Sequence, residues 1–263
     1  MTAAVYPSYR SRYLPAMSRA ELDALPDKSS ALVIIPTGAV EQHGPHLPVG
    51  VDSILGQAWL DAALPLLPTD APVYVGPAIT YGKSNEHAGF PGTVAISART
   101  LHRLLKTIAR QLHALGFRTV AILNTHGGNS AVIVATLREI QTELGMNAGM
   151  LTWTWKPPIT PLEAAYGFHA GHWETALMLA AAPHLVHLER AVAEFPARLD
   201  DPGELRPEDA PATFSWITAD ISKSGVMGDP TQAAATDGRV WLAPAAKALA
   251  GRILEISRRA AAR

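Results

Sequence analysis

The fold is decided by Ala31-Leu-Val-Ile-Ile-Pro36 and by the segment after it, Gly38-Ala-Val-Glu-Gln-His-Gly-Pro-His-Leu-Pro-Val-Gly-Val-Asp-Ser53. The first run is continuously apolar, as in a buried strand. The second is broken by glycines and prolines, so it cannot form a helix. The side chains in it that can bind a metal or transfer a proton are Glu41, His43, His46 and Asp52. A rigid loop with these groups just past a strand's carboxyl end predicts a functional site.

Strand-like and helix-like segments alternate along the rest of the chain. Further strands are predicted at residues 72–76, 119–124 and 148–155. Helices are predicted at 53–64, between Ser97 and Gly116, between Ser130 and Gly145, in the second half of 167–180 and from about Thr231. This alternation predicts right-handed crossovers and an α/β fold, a three-layer α/β/α arrangement with a mostly parallel central sheet.

Length and composition predict a single domain. The chain has 263 residues and is 48% hydrophobic, which is enough to bury one large core. We expect this domain to cover residues 1–263, with 1–30 as an amino-terminal arm. The stretch 200–230 combines acidic residues with prolines, and we expect a solvated excursion there.

Charge and cysteine content narrow the classes of function. Lys and Arg number 22 against 23 Asp and Glu, a formal net charge of −1, so we expect no nucleic-acid partner and no membrane surface. The absence of cysteine excludes disulfides and thiolate ligands, so any metal must be bound by histidine and carboxylate. No secretory signal and no long apolar segment is visible, which predicts a cytoplasmic location.

Potential metal ligands recur at the ends of several predicted strands. They are Glu41, His43, Asp52, His126, His169, His172 and Glu174. Since parallel strands end at one edge of a sheet, the loops that carry these residues should meet there. Buried carboxylates and imidazoles are unfavourable together unless cations neutralise them. Nitrogen and oxygen ligands without sulfur predict two divalent ions per chain, zinc first, with manganese or iron as alternatives.

Each of these groups also has a purely structural interpretation. Asp52 could cap the helix that follows it, and Glu174 could be an ordinary first-turn glutamate. The turn His126-Gly-Gly-Asn129 could be a simple tight turn, or its glycine amides could cradle an anion. The coincidence of all the loops at one predicted sheet edge favours the metal site.

Several motifs taken together resemble those of one known family. They are Gly38-Ala-Val-Glu-Gln-His-Gly-Pro-His-Leu-Pro48, Asp52, Ser84-Asn-Glu-His87 with Phe90-Pro-Gly-Thr93, Asn124-Thr-His-Gly-Gly-Asn129 and His169-Ala-Gly-His-Trp-Glu-Thr175. In order and spacing, over roughly residues 30–182, the chain resembles the creatininase family of metal-dependent amidohydrolases. The resemblance implies a three-layer α/β fold, a two-metal centre and a homohexamer.

The resemblance also implies how the ligands divide between two ions. By motif, Glu41, Asp52 and His126 would hold one ion. His43 would hold the other, with Asp52 as the bridge between them.

One position departs from creatininase proper. That enzyme carries a further metal-binding glutamate where this chain has Gly128, so creatinine itself is not the expected substrate. The chain is similar instead to the His-Gly-Gly-Asn branch of the family. In that branch Glu174 would supply the missing carboxylate, and His169 would remain as the proton donor.

These inferences predict an amidohydrolase that cleaves a non-peptide C–N bond in a small cyclic amide, lactam or formamide, with a metal-bridging hydroxide as nucleophile. Glu174 is the general base if it is not a ligand. The predicted substrate contacts are Ser84, His87 and Trp173, whereas His46 and His172 have no assigned role. A peptidase that matures a small modified peptide with the same metals is the alternative function, and a non-catalytic anion-binding protein is a third.

Overall fold

The protein is built around a parallel sheet. The computed structural model describes residues 7–152, 155–196 and 215–261. The strands are β1 (Leu32–Thr37), β2 (Val73–Val75), β3 (Thr119–Asn124) and β4 (Asn147–Leu151), in the spatial order β2-β1-β3-β4. Every pairing between neighbours is parallel, which confirms the predicted α/β fold.

Helices cover both faces of the sheet. They are α1 (Arg19–Asp23), α2 (Val51–Ala63), α3 (Ala98–Ala114), α4 (Ser130–Leu144), α5 (Pro161–Tyr166), α6 (His172–Ala181), α7 (Thr218–Ile221) and α8 (Ala235–Ala261). Helices α2, α6 and α8 pack against one face, and α3 and α4 pack against the other. The chain therefore forms the predicted three layers in one domain.

Strand β1 shows why its sequence reads as uninterrupted apolar residues. All of its residues are buried. Because side chains alternate along a strand, Leu32 and Ile34 join the core under α2, α6 and α8, while Val33 and Ile35 join the core under α3 and α4. A strand covered on both faces needs apolar residues at every position.

Predicted capping residues set the ends of several helices. The Ser97 side chain accepts a hydrogen bond from the amide of Thr100 at the start of α3. Gly145 ends α4 in the left-handed conformation, with φ of 64°. The strand predicted at 148–155 is shorter in the structure, since β4 ends at Leu151, and residues 153–154 lie outside the described part of the chain.

The described part of the amino-terminal arm, residues 7–30, packs against the edge of the domain. Tyr9 is buried, and its hydroxyl donates to Gln57 on α2 at 3.0 Å. Arg12 donates to the carbonyl oxygen of Ala71 at 2.6 Å, and Tyr13 forms a parallel bridge to Val75 in β2. The arm therefore ties the β2 edge of the sheet to α2.

The solvated excursion predicted at 200–230 needs correction in its second half. Residues 200–214 lie outside the described part, but Thr218, Val226 and Met227 are buried, with at most 1% of their surface exposed. Met227 pairs with the backbone of His169 in an antiparallel bridge. Composition could not predict that these residues are buried, because the residues that they pack against are distant in the sequence.

Among the described residues, no helix is both long enough and apolar enough to cross a membrane.

Candidate metal centre

The candidate site lies at the edge of the sheet where the strands end. Glu41 and His43 lie on the loop after β1, and Asp52 is in the first turn of α2. His126 follows β3, and Glu174 lies in the first turn of α6. The structure therefore brings residues from three distant segments to the edge where α/β proteins bind ligands.

The first ligand group consists of Glu41, Asp52 and His126, which are all buried. His126 Nδ1 lies 3.1 Å from Glu41 Oε2 and 3.8 Å from Asp52 Oδ2. The three candidate ligand atoms lie within 4.8 Å of one another. This is the set that the motifs assign to one ion.

The second group consists of His43, Asp52 and Glu174. His43 Nε2 lies 3.5 Å from Asp52 Oδ1 and 3.9 Å from Glu174 Oε2. His43 Nδ1 is 3.2 Å from the carbonyl oxygen of Glu41, to which it donates, so in the neutral ring Nε2 carries the lone pair. That Nε2 is buried and has no hydrogen-bond partner among the described residues. A buried, unpaired imidazole nitrogen between carboxylates fits a cation ligand.

His169 contacts the same cluster from the loop before α6. Its Nε2 is 2.7 Å from the carbonyl oxygen of Gln42, which can only accept, so Nε2 carries the proton. Its Nδ1 lies 3.7 Å from Glu41 Oε1. Glu41, His43 and His169 make a third group of candidate ligands, so His169 is placed either to ligate or to transfer a proton at Nδ1.

The electrostatics of the cluster fit a cation. Burial alone would raise the pKa of Glu41, but His126, His169 and His43 hold that pKa well below its usual value. Burial opposes protonation of His43, yet Asp52, Glu174 and Glu41 raise its pKa to about 9. Burial raises the pKa of Glu174 to about 7. Without a metal, protons on His43 and Glu174 would have to balance the negative charge of the cluster.

Of the predicted substrate contacts, His87 and Ser84 lie at the cluster. Ser84 is fully buried, and its hydroxyl donates to Glu41 Oε2 at 2.6 Å. This position suits orienting Glu41 better than contacting a substrate. His87 Nδ1 lies 2.9 Å from Thr218 Oγ1, and burial lowers the pKa of His87 to about 4. A neutral His87 at the cavity wall remains suited to hydrogen bonding.

The third predicted substrate contact, Trp173, lies in an aromatic cluster. Its ring is 5.6 Å from that of Trp155 and stacks on Trp241 at 5.7 Å. His172 joins this cluster, with its ring 5.1 Å from that of Trp241. These contacts assign Trp173 and His172 to packing between α6 and α8.

His46, which had no assigned role, connects the first loop to α6. Its Nε2 lies 2.9 Å from Thr175 Oγ1, and burial lowers its pKa to about 4. The carbonyl oxygen of His46 accepts from the amide of His187 at 2.9 Å. A neutral His46 therefore holds the loop that carries Glu41 and His43 in place.

Sequence reasoning missed Gln42 and Glu86. The Gln42 amide nitrogen lies 2.8 Å from His87 Nδ1, 3.1 Å from His169 Nε2 and 2.9 Å from the carbonyl oxygen of Gly225. Glu86 Oε1 lies 3.1 Å from His126 Nε2. Both residues stand inside the quoted motifs, which was the available signal, but their partners are far away in sequence.

Two cavities open beside His126. One, of about 70 Å³, is lined by residues from four loops: Glu86, His87, His126, Gly127, Gly128, Phe168, His169, Trp216 and Met227. The other, of about 430 Å³, is an open cleft along the end of β4, with Trp59, Trp155 and Lys156 in its walls. The wide cleft therefore borders the cluster at His126.

The fold and the cluster of candidate ligands are those of a metal-dependent hydrolase. The chain belongs to the creatininase family, because the family model described as creatinine amidohydrolase matches residues 15–253. At this level the protein is a creatininase-family, metal-dependent amidohydrolase.

Individual relatives carry different activities. The chain is 35% identical over 224 residues to the mycofactocin precursor peptide peptidase of Mycolicibacterium smegmatis, covering 84% of each chain. It is 30% identical to the creatinine amidohydrolase of Pseudomonas putida, covering 78% of this chain and 87% of that protein. A solved creatininase variant in a Zn–Zn form superposes with a TM-score of 0.75 at 26% identity, over 92% of this chain and 97% of that one.

Proposed function

We propose that the protein is a metal-dependent peptidase that cleaves an amide bond near the end of a small peptide. The open cleft beside His126 carries this proposal, since an extended peptide needs room on both sides of the bond to be cleaved. The 35% identity to mycofactocin precursor peptide peptidases supports it. A peptide substrate therefore takes precedence over the small cyclic amide, lactam or formamide that the motifs first suggested.

The shape and charge of the cleft suit a peptide terminus. At about 430 Å³ it is far larger than the 70 Å³ cavity on the other side of His126. Trp59 and Trp155 offer apolar surface for side chains. Lys156 is exposed at the cleft wall, and its ammonium group complements a free terminal carboxylate.

We assign the metal ligands by the geometry of the cluster. Glu41, Asp52 and His126 would hold one divalent ion, and His43, Asp52 and Glu174 would hold a second. Zinc is the first choice, with manganese or iron as alternatives. When bound, such ions lower the pKa of water and polarise the carbonyl group of the substrate.

The protein's own groups then move protons and orient the ligands. Glu174 Oε2 accepts a hydrogen bond from the amide of Ala170 at 2.6 Å, which fixes the carboxylate toward His43. If Glu174 is free of metal, Oε2 is the atom that accepts a proton from water. His169 Nε2 donates to the carbonyl oxygen of Gln42, which leaves Nδ1 as the unprotonated ring nitrogen. Nδ1 would take up a proton released by the attacking water and pass it to the leaving nitrogen.

A substrate panel tests the proposal. Short peptides with free carboxyl termini, the same peptides amidated, creatinine, lactams and formamides are incubated with the zinc- or manganese-loaded protein. We expect hydrolysis of both kinds of peptide, with a lower KM for those with free carboxyl termini, and no hydrolysis of creatinine, lactams or formamides. In Lys156→Ala the KM for free peptides should rise about two- to fivefold, as expected for one exposed ion pair, with kcat unchanged.

The amidated peptides are the control, since Lys156→Ala should not change their turnover relative to the unaltered protein. Efficient cleavage of a lactam or formamide with no cleavage of any peptide would contradict the proposal.

A further inference from the structure

We propose that Glu86 is a positioning residue of the metal centre, and that it occupies space left free because residue 128 is glycine. In this position its carboxylate fixes His126 so that Nδ1 faces the metal site. The inference rests on the metal centre proposed above but not on the identity of the substrate.

The contacts of His126 define its orientation. Its Nε2 lies 3.1 Å from Glu86 Oε1 and 3.1 Å from the carbonyl oxygen of Lys83. A carbonyl oxygen can only accept, so Nε2 carries the proton and shares it with both oxygens. In the neutral, metal-binding ring the lone pair is therefore on Nδ1, which lies 3.1 Å from Glu41 Oε2. A carboxylate behind a ligating imidazole orients the ring and raises its basicity.

Glu86 is itself held in place from two sides. Its other oxygen, Oε2, lies 3.1 Å from the ammonium group of Lys83. Only 12% of the Glu86 side chain is exposed, so its carboxylate is largely shielded from solvent, whereas the Lys83 side chain is 28% exposed. The amide of Lys83 donates to Asn129 Oδ1 at 2.8 Å, which joins the Glu86 segment to the turn that carries His126. The Glu86 carboxylate is therefore held against the turn that carries His126, the residue that it orients.

Gly128 makes this arrangement possible. A Cβ atom on residue 128 would overlap Glu86 Oε1, and it would lie 2.5 Å from His126 Nε2 and 2.7 Å from the carbonyl oxygen of Lys83. All three atoms belong to the hydrogen-bonded group just described. Glycine at 128 and glutamate at 86 are thus one structural unit, and any side chain at 128 would displace the carboxylate.

Glu86 acts through His126. Its Oε1 faces the ring nitrogen that points away from Glu41 and Asp52. It belongs to none of the three groups of candidate ligands found in the described residues. Its removal should therefore weaken one ion without emptying the site.

Zinc titration of the metal-free protein tests this role. We compare the unaltered protein with Glu86→Gln, Gly128→Ala and the control Glu139→Gln, which removes a half-exposed carboxylate on α4 that pairs with Lys106 on α3. In Glu86→Gln we expect two zinc ions per chain, one of them bound about 10- to 100-fold more weakly and the other unchanged. Gly128→Ala should show the same selective loss, whereas Glu139→Gln should bind zinc as the unaltered protein does.

Three outcomes would overturn the proposal. Unchanged zinc affinity in Glu86→Gln, with only a lower melting temperature, would make Glu86 a purely structural residue. A drop to one zinc ion per chain would make it a ligand. Equal weakening of both ions would show that the effect does not pass through His126. Failure of the unaltered protein to bind zinc or manganese would instead contradict the proposed metal centre itself.

Discussion

Asp52 is the residue on which the candidate centre depends most. It belongs to two of the ligand groups, facing His126 through Oδ2 and His43 through Oδ1. Oδ2 also accepts a hydrogen bond from the amide of Ala39 at 2.9 Å, which orients the carboxylate. It lies in the first turn of α2, but it is buried and turned toward the imidazoles. The helix-capping interpretation therefore does not account for its position.

Asp52→Asn should remove metal binding while leaving the fold intact. The amide oxygen of asparagine can still accept from Ala39, but it carries no charge to hold two cations. We expect zinc content to fall below half of the normal value and hydrolysis to fall more than about 100-fold, beyond the loss typical of residues that only support a ligand. Metal analysis and peptide assays measure both.

The control for this variant is Asp61→Asn, the same change on the same helix. Asp61 bonds to Gln57 at 3.0 Å and to Ser8, away from the cluster. It should keep normal zinc content. Normal hydrolysis by a metal-free Asp52→Asn protein would refute the assigned role.

Metal affinity should rise with pH. In the metal-free protein the pKa of His43 is about 9 and that of Glu174 about 7, so both hold protons that a metal must displace. Below these values binding releases protons, and affinity increases as pH rises from 6 to 9. Burial opposes protonation of His126, but Glu41 and Glu86 raise its pKa well above the usual value, so His126 also releases a proton. Above pH 7 the increase should therefore be about tenfold or more per pH unit.

Calorimetric zinc titrations in two buffers of different ionisation enthalpy measure the released protons directly. Affinity that is flat from pH 6 to 9, with no proton release, would show that His43 and Glu174 do not bind the ion.

At the scale of elements, the sequence predicted the strands that are buried on both faces. The predicted strand 31–36 matches β1 within one residue, and 119–124 matches β3. A short uninterrupted apolar run is typical of a strand that is buried on both faces of a parallel sheet. The end of β4 and the packing of residues 215–230 were not predictable in this way. Thr218 reaches His87 across 131 positions of sequence, and local periodicity carries no information about such contacts.

The same limit applies to the candidate site. The residue types of Glu41, His43 and His126 at strand ends predicted that a metal site would form there. Their supporting residues could not be predicted, since Gln42 contacts His169 across 127 positions. The sequence marks Gly128 only as a missing carboxylate, whereas in the structure the glycine leaves room for the Glu86 carboxylate.

The close packing of α8 on α6 predicts that a side chain added at their contact would destabilise the fold. Gly238 lies where the two helices touch, and a Cβ there would overlap the carbonyl oxygen of Ala176 and lie 3.0 Å from Ala180 Cβ. Gly238→Ala should therefore destabilise the fold by about 2–3 kcal/mol, although alanine favours helix. Urea denaturation measures the free energy of unfolding.

Gly251→Ala, in the same helix, is the matched control. Apart from the helix's own backbone, no atom of the described residues lies within 4 Å of the added Cβ, so helix propensity alone should act and stabilise the fold by about 0.5–1 kcal/mol. Equal effects of the two substitutions would contradict the close α6–α8 packing.

For the whole molecule, we expect six copies to assemble, as the motif resemblance implies. Light scattering coupled to size-exclusion chromatography should give a mass six times the 28.0 kDa of one chain. A mass of one chain at micromolar concentration would contradict the expected hexamer but would not affect the proposal of a metal centre.

Metal content measured together with peptide hydrolysis tests the central claim most directly. The purified protein is stripped with a chelator, titrated with zinc or manganese, and assayed at each step on a peptide with a free carboxyl terminus. Hydrolysis should be absent in the stripped protein and reach its maximum at about two equivalents of metal per chain. Full hydrolysis by the stripped protein, or activity that does not change with bound metal, would contradict it.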